Sequence, residues 1–138
     1  MDRRNFLKSS CLLCGGAVVG SMALLESCGK GGVSPSAGNV NFTLDLSQSA
    51  NAALKSAGGS VISHSVIVVN TGSGFVALSD ICTHQGCSVF YNASGHDLVC
   101  PCHGGTYNLS GTVIAGPPPA PLKKYNISQS GNILTISG

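Results

Sequence analysis

The sequence of 138 residues contains no tryptophan, and aromatic residues make up only 5% of it. Gly, Ser, Val and Ile are plentiful instead, a composition that favours short strands and tight turns over helices. There is no evident internal repeat, and the 138 residues leave room for one hydrophobic core once a targeting segment is set aside. We therefore expect a single small all-β domain.

Charged residues are also scarce, at 9% of the chain, and the formal net charge is +2. Much of the positive charge lies at the N-terminus, in Arg3, Arg4 and Lys8. From residue 29 onward, four lysines are balanced against three aspartates, which leaves a net charge of +1. A nearly neutral domain without a basic stripe gives no reason to expect a nucleic-acid partner.

The first 27 residues have the organisation of a bacterial export signal rather than that of a folded element. A positively charged start precedes an apolar run from Cys11 to Leu25, and small residues lie around its end. The pair Arg3 and Arg4, followed by Phe-Leu-Lys, resembles the twin-arginine signal, which is read by a transporter that accepts folded proteins. That route suits a protein that acquires its cofactor before export.

The letters LESC at positions 25–28 resemble a lipoprotein cleavage box, in which Cys28 becomes the lipidated first residue of the mature chain. Two alternatives stay open, namely an uncleaved signal that anchors the chain in the membrane and simple cleavage to a soluble protein. The apolar run is shorter than the roughly 20 residues of a bilayer span, which disfavours the uncleaved anchor. Cys11 and Cys14 are interpreted as apolar residues of the signal and not as a redox pair.

Residues 28–39 are rich in Gly, Ser and Pro and are predicted to form a flexible linker, so that the domain occupies residues 40–138. Apolar and polar side chains alternate along several short segments of this domain, as they do in half-buried strands. A single helical turn is predicted within residues 51–59. The predicted strands cover residues 41–46, 60–70, 74–79, 88–91, 97–99, 112–115, 124–127 and 132–136. The expected architecture is a compact antiparallel sandwich or barrel.

Two short boxes in predicted loops concentrate four cysteines and two histidines: CTHQGC at residues 82–87 and CPCHGG at residues 100–105. Each box offers one Cys and one His at short spacing. A zinc site more often uses Cys-x-x-Cys or His-x-x-x-His spacing, with ligands of one type in a loop. One thiolate and one imidazole from each of two loops fit a two-iron centre better. The candidate ligands are Cys82, His84, Cys100 and His103.

The two boxes, with the following Thr-Tyr, resemble the signature boxes of Rieske iron–sulfur proteins, and GTVIAGPPPAPL at residues 111–122 resembles the Gly-Pro-rich loop of that family. The resemblance implies an all-β Rieske-type sandwich or barrel with a two-loop cluster-binding subdomain. It also implies one [2Fe-2S] cluster per chain, with Cys82 and Cys100 on one iron and His84 and His103 on the other. Neutral imidazoles in place of two thiolates make the cluster easier to reduce.

The same resemblance implies that Cys87 and Cys102 form a disulfide between the two loops. An exported protein can keep such a bond because its compartment is oxidising. Closing a loop of about 15 residues is worth roughly 3 kcal/mol in the chain-entropy account of disulfides. A pair of free thiols and a pair of additional metal ligands remain the alternatives.

Further residues are expected to tune the cluster. Tyr107 stands where the family often places a tyrosine that donates a hydrogen bond to a ligand sulfur. Gly105 stands where high-potential members carry a serine, so we expect a lower potential here, consistent with a low-potential quinone. Residues 116–121, which include Pro117, are expected to cover the cluster as a lid.

The resemblance implies an electron-transfer subunit of a membrane quinol–cytochrome c oxidoreductase on the outer, periplasmic face of the cytoplasmic membrane. It implies a cytochrome b-type partner, a cytochrome c-type acceptor, and quinol binding near His84 and His103. The chain shows no nucleophile and no general acid/base pair of its own, so catalysis would belong to the assembled complex. One alternative is a small Rieske subunit of another exported oxidoreductase, similar to arsenite oxidase. Another is a non-redox binding module stabilised by zinc or disulfides.

Overall fold

The computed structural model describes residues 38–138 and contains almost only short strands. In chain order, the elements are β1 Asn41–Asp45, a 3-10 helix Ser49–Lys55, β2 Ser60–Ser63, β3 Val66–Asn70, β4 Phe75–Ser79, β5 Phe90–Asn92, β6 Asp97–Val99, β7 Thr106–Asn108, β8 Val113–Ala115, β9 Lys124–Ser130 and β10 Ile133–Ser137. The prediction of an all-β domain is confirmed.

The strands form two antiparallel sheets. The base sheet has six strands in the order β1-β10-β9-β4-β3-β2, and the small sheet has four in the order β5-β6-β7-β8. Both cysteine boxes lie at one end of the small sheet, because the first precedes β5 and the second joins β6 to β7. The segment after β8 leaves from that same end, so the topology alone brings three loops together.

Strand β3 connects the two hydrophobic cores of the domain. Val66 and Val68 point into the first core, which lies among strands of the base sheet and the 3-10 helix. Ile67 and Val69 point the opposite way, into the second core between the base sheet and the small sheet. All four side chains are buried, and each contributes roughly 1.5–3 kcal/mol by leaving water. The second core also contains Leu78, Val89, Leu98, Tyr107 and Leu122.

The prediction of one strand over residues 60–70 is wrong, because the chain reverses at His64 and Ser65. Their φ angles of 52° and 60° place both in the left-handed region, the conformation of a two-residue hairpin turn. The His64 ring stacks on Phe42 at a centroid distance of 4.4 Å. Three polar residues in a row, Ser63 to Ser65, interrupt the apolar pattern here, but the turn lacks the Gly, Asn or Asp that usually indicates a two-residue hairpin.

Gly38 and Asn39 belonged to the predicted linker, yet both are bound to the base sheet. Lys123 Nζ donates to the Gly38 carbonyl and to Asn39 Oδ1, each at 3.1 Å, and the Tyr125 hydroxyl donates to the Gly38 carbonyl at 3.1 Å. Val40 follows with a backbone hydrogen bond to Gly138 at 2.7 Å. These contacts fix the point at which the chain enters the domain.

The predicted export signal at residues 1–27 and most of the predicted linker lie outside the described residues. Within residues 38–138, no helix has the length and apolar character needed to cross a membrane.

Replacing Tyr125 with Phe removes one of the hydrogen bonds that hold the entering chain. We expect amide hydrogen exchange at Val40 to become about fivefold faster, because one such bond contributes about 1 kcal/mol. Tyr91→Phe is the matched control, since within residues 38–138 the Tyr91 hydroxyl is bonded only to the exposed His96 ring. Equal exchange at Val40 in the two variants would show that the tyrosine contact does not hold the entry point.

Candidate metal centre

The first box, residues 82–87, is a loop closed by two backbone hydrogen bonds. The N–H of Cys82 donates to the carbonyl of Cys87 at 2.8 Å, and the N–H of Gly86 donates to the carbonyl of Cys82 at 2.9 Å. Gly86 has a φ of 76°, which explains glycine at the fifth position of the loop.

The second box, residues 100–105, repeats this pattern position by position. The N–H of Cys100 donates to the carbonyl of Gly105 at 2.7 Å, and the N–H of Gly104 donates to the carbonyl of Cys100 at 3.0 Å. Gly104 has a φ of 72° and again occupies the fifth position. The two loops therefore share one backbone design, in which the first residue is a cysteine.

The four candidate ligands come together at the tip of the domain. Cys82 and Cys100 are each only 2% exposed, and both are free thiols. His84 is half-buried and His103 is exposed, and their rings meet edge to face at a centroid distance of 4.7 Å. The site thus combines two buried sulfur atoms with two imidazoles that reach the surface.

One ring nitrogen at this tip is left without a partner. His84 Nδ1 is buried and makes no hydrogen bond to any of residues 38–138. A buried polar atom without a partner is unusual in a folded protein. A bond from this nitrogen to a metal ion removes the anomaly, so the atom fits a ligand role.

The two thiols differ in acidity because their surroundings differ. Burial tends to raise the pKa of Cys82, but hydrogen bonds from the Tyr107 hydroxyl and from the backbone N–H of His84 hold it below its usual value. Burial raises the pKa of Cys100, and the adjacent Cys82 thiol raises it further. N–H groups aimed at the sulfur of Cys82 stabilise a thiolate, the form in which cysteine binds metals.

The structure joins Cys87 and Cys102 by a disulfide with a Cα–Cα distance of 6.5 Å. The bond links the last residue of the first loop to the third residue of the second. The Sγ atoms of Cys87, Cys100 and Cys102 all lie within 4.8 Å of one another. Two of these sulfurs are consumed by the disulfide, so this cluster is no metal site in the oxidised protein.

Tyr107 reaches the first loop from the second core. Its side chain is fully buried, and its hydroxyl lies 3.3 Å from Cys82 Sγ. The Thr83 N–H donates to the same hydroxyl at 3.1 Å, and Thr83 Oγ1 lies at 3.1 Å. Burial raises the pKa of Tyr107, and the bond to Cys82 adds to this, so the phenol keeps its proton.

The predicted lid packs against both loops. Thr83 Oγ1 donates to the carbonyl of Ala120 at 2.7 Å, which ties the lid to the first loop. A Cβ placed on Gly105 would lie 2.6 Å from Pro118 Cγ, so Pro118 occupies the space of a side chain at position 105. Pro117 is exposed, whereas Pro118 is buried.

Thr83 and Pro118 are functional candidates that the sequence did not single out. Thr83 is not a ligand type, and nothing in the box pattern indicates the hydrogen bond of its hydroxyl to the lid. Pro118 stands within a run of three prolines, so sequence alone cannot tell which of them turns inward.

The tip of the domain is almost free of formal charge. Between residues 81 and 122, the one Asp, Glu, Lys or Arg is Asp97. It pairs with Asn92 at the far end of the small sheet, away from the loops. The same sheet exposes two large apolar side chains, Phe90 at 54% and Ile114 at 55%. A partner that contacts this part of the surface meets a neutral, partly apolar face.

Comparison with known proteins identifies related sequences and structures. Residues 40–126 match the family model described as the Rieske [2Fe-2S] domain. The chain is 46% identical over 72 residues to the cytochrome b6-f complex iron-sulfur subunit of Chlorobaculum thiosulfatiphilum, with 52% of this chain and 40% of that protein covered. It is 41% identical over 71 residues to the carotenoid phi-ring synthase of Chlorobaculum tepidum, with coverages of 51% and 11%. The chain therefore spans less than half the length of both relatives.

The fold resembles the crystal structure of the cyanobacterial plasma membrane Rieske protein from Synechocystis. The TM-score is 0.54 at 35% sequence identity, and the match covers 63% of this chain and 93% of the other.

Replacing Thr83 with Val keeps the shape of the side chain but removes its bonds to Tyr107 and to the lid. We expect the free energy of unfolding in urea to fall by about 1–2 kcal/mol, the worth of one or two hydrogen bonds. The amide of Leu122, which donates to Gly111 at the end of the lid, is expected to exchange faster.

Thr71→Val is the control for this prediction. Thr71 also donates to a backbone carbonyl, that of Gly74, but in an exposed turn of the base sheet. We expect a change of less than about 0.5 kcal/mol there. Equal losses in both variants would contradict a special role for Thr83 in holding the lid.

Proposed function

The chain belongs to the Rieske [2Fe-2S] domain family, and we propose that it is a one-electron carrier, the iron–sulfur subunit of a membrane quinol-oxidising complex. In this proposal a cytochrome b-type subunit is its partner and a cytochrome c-type protein accepts the electron. The observation that supports it most is the pair of imidazole rings at the surface, next to two buried free thiols.

The residues at the tip fit a Rieske cluster in number, type and surroundings. Cys82 and Cys100 would hold one iron, and His84 and His103 the other. The unpartnered Nδ1 of His84 and the N–H groups directed at Cys82 support this assignment. When bound, a cluster with two thiolate and two imidazole ligands accepts and releases one electron at roughly −150 to +300 mV.

The histidines give the chain its contact with substrate. An imidazole that binds iron through one nitrogen would have its second nitrogen free to carry a proton. Without that proton, the second nitrogen would accept a hydrogen bond from a quinol hydroxyl. His103 is exposed and His84 half-buried, so both rings are within reach of a small molecule. Gln85, which follows His84 in the first loop and is exposed, makes this edge more polar.

The remaining residues keep water and side reactions away from the sulfurs. Pro118 of the lid covers Gly105, and Ala120 of the lid is bonded to Thr83. The disulfide joins the two loops. The hydroxyl of Tyr107 lies against Cys82 Sγ. Its proton would stabilise the negative charge that a bound cluster gains on reduction. Pro117 lies in the exposed part of the lid and stays a proposed residue of the cover over the cluster.

The proposed location is the outer face of the cytoplasmic membrane. The twin-arginine-like signal of residues 1–27 supports export, and the cleavage box supports lipidation at Cys28. Two acyl chains at such a cysteine hold a protein firmly at a membrane surface. The relative from Chlorobaculum thiosulfatiphilum is by its name a subunit of a cytochrome complex, which supports a cytochrome partner for this chain.

A second candidate is a relay within a different oxidoreductase. The similarity to a carotenoid phi-ring synthase shows that a related domain occurs inside a protein with another name, and it does not favour this candidate over the first. Membranes that contain the chain separate the two: quinol oxidation that depends on the chain supports the first candidate, and its absence supports the second.

The decisive test of the carrier role is an EPR spectrum of the dithionite-reduced full chain, combined with iron and labile sulfide analysis and a redox titration across pH. We expect two irons and two sulfides per chain, and an average g value below that of the free electron. The potential is expected to fall as pH rises through the range in which the outer imidazole protons are lost. A protein that contains zinc and gives no EPR signal would refute the proposal.

The potential provides a further prediction at position 105. A serine there can donate a hydrogen bond to the bound cluster only after Pro118 stops filling its space, so we combine Gly105→Ser with Pro118→Ala. We expect the double variant to have a potential about 40 mV above that of Pro118→Ala alone, since one hydrogen bond is worth about 1 kcal/mol. Equal potentials in protein-film voltammetry would contradict this account of Gly105.

A further inference from the structure

The free thiol of Cys100 lies next to the disulfide rather than apart from it. Its Sγ atom is within 4.8 Å of both Cys87 Sγ and Cys102 Sγ, and the three sulfurs form one compact group. A thiol that close to a disulfide can attack it without any other reagent. We propose that, when no metal occupies the site, Cys100 exchanges with the disulfide and displaces Cys102.

The proposed step is an isomerisation and needs no oxidant or reductant. Cys100 Sγ forms a bond to Cys87 Sγ while the bond between Cys87 Sγ and Cys102 Sγ breaks. The electron pair of the broken bond stays on Cys102 Sγ, which takes up the proton lost by Cys100. One disulfide and two free thiols are present before and after, and the product pair is Cys87–Cys100 with Cys102 free.

Two features select Cys102 as the sulfur that leaves. Cys102 is exposed, so water stabilises the departing thiolate, whereas Cys87 is half-buried. Attack on the other sulfur would instead join Cys100 to Cys102, which are separated by Pro101 alone. A disulfide between cysteines so close in sequence has difficulty reaching the normal geometry. The product that joins the two loops retains a covalent link between them.

The consequence concerns the life of the cluster and rests on the proposed role of Cys100 as an iron ligand. A sulfur bound to iron is not free to attack, so a loaded site preserves the Cys87–Cys102 pairing. Once iron is lost, the exchange converts Cys100 from a ligand into a disulfide partner. The domain then cannot take up a cluster again until a thiol reagent reverses the exchange.

The test uses the full chain with Cys11, Cys14 and Cys28 replaced by serine, so that only the four box cysteines remain. The cluster is removed with acid and a chelator without any reductant, and samples are denatured and alkylated at successive times. Chymotrypsin cuts between Cys87 and Cys100, for instance after Tyr91, whereas trypsin finds no site between Lys55 and Lys123. Fragmentation at the Cys100–Pro101 bond in the mass spectrometer then distinguishes label on Cys100 from label on Cys102.

We expect label on Cys82 and Cys100 in protein denatured with its cluster intact. In cluster-free protein, the label is expected to move from Cys100 to Cys102 over minutes to hours, with the total held at two free thiols per chain. Two variants, each lacking one proposed ligand thiol, serve as controls. Cys82→Ser keeps the attacking thiol of Cys100 and should show the same label on Cys102. Cys100→Ser should leave Cys102 unlabelled throughout.

Label that stays on Cys100 in the cluster-free wild-type boxes, or that appears on Cys87, would overturn the proposal. So would a shift to Cys102 that persists in Cys100→Ser, because another nucleophile would then be responsible. The outcomes that decide the proposal are read as peptide masses in protein without a cluster. A failure of the proposed electron-transfer role therefore leaves this test intact, and the converse also holds.

Discussion

The hydroxyl of Tyr107 is the point at which the hydrophobic core meets the chemistry of this domain. The ring belongs to the second core and is fully buried, so its position is fixed by the packing of the small sheet on the base sheet. Its hydroxyl contacts Cys82 Sγ, the Thr83 N–H and Thr83 Oγ1. Because Thr83 donates its own proton to Ala120, the single proton of Tyr107 is left for the sulfur or for the threonine oxygen. One side chain thus sets the position of the first loop and, through Thr83, of the lid.

The two loops use one backbone design to present different side chains. Each has cysteine first and a left-handed glycine fifth, and each is closed by the same two hydrogen bonds. Histidine is third in the first loop and fourth in the second, and the disulfide joins the sixth position of one to the third of the other. The similarity of the backbones explains how two short segments can both deliver a buried thiol. The offset of the histidines explains why the site as a whole is not symmetric.

Sequence reasoning was most successful where chemistry depends on spacing within a few residues. The cysteine and histidine boxes, the all-β class and most strands followed from local pattern, because ligand spacing and strand alternation are local properties. The hairpin turn at His64 and Ser65 was missed, since neither residue is the Asn, Asp or Gly that a two-residue hairpin turn usually contains. Strand β7 was missed because three residues after a loop show no alternation. The contacts of Thr83 with Ala120 and of Gly105 with Pro118 join residues far apart in sequence, and no local pattern reports such contacts.

The neutrality of the tip determines how this domain can find a partner. Long-range attraction between proteins needs opposed charges, and screening limits even those to about 8–10 Å in physiological salt. A surface whose one formal charge is Asp97, remote from the loops, offers almost nothing for such steering. The rate at which the domain meets a partner must then come from holding both at the same membrane surface. If Cys28 carries the proposed anchor, the ten residues from 28 to 37 limit the reach of the domain to roughly 35 Å. Within that radius the effective concentration of a membrane-bound partner is high without any electrostatic help.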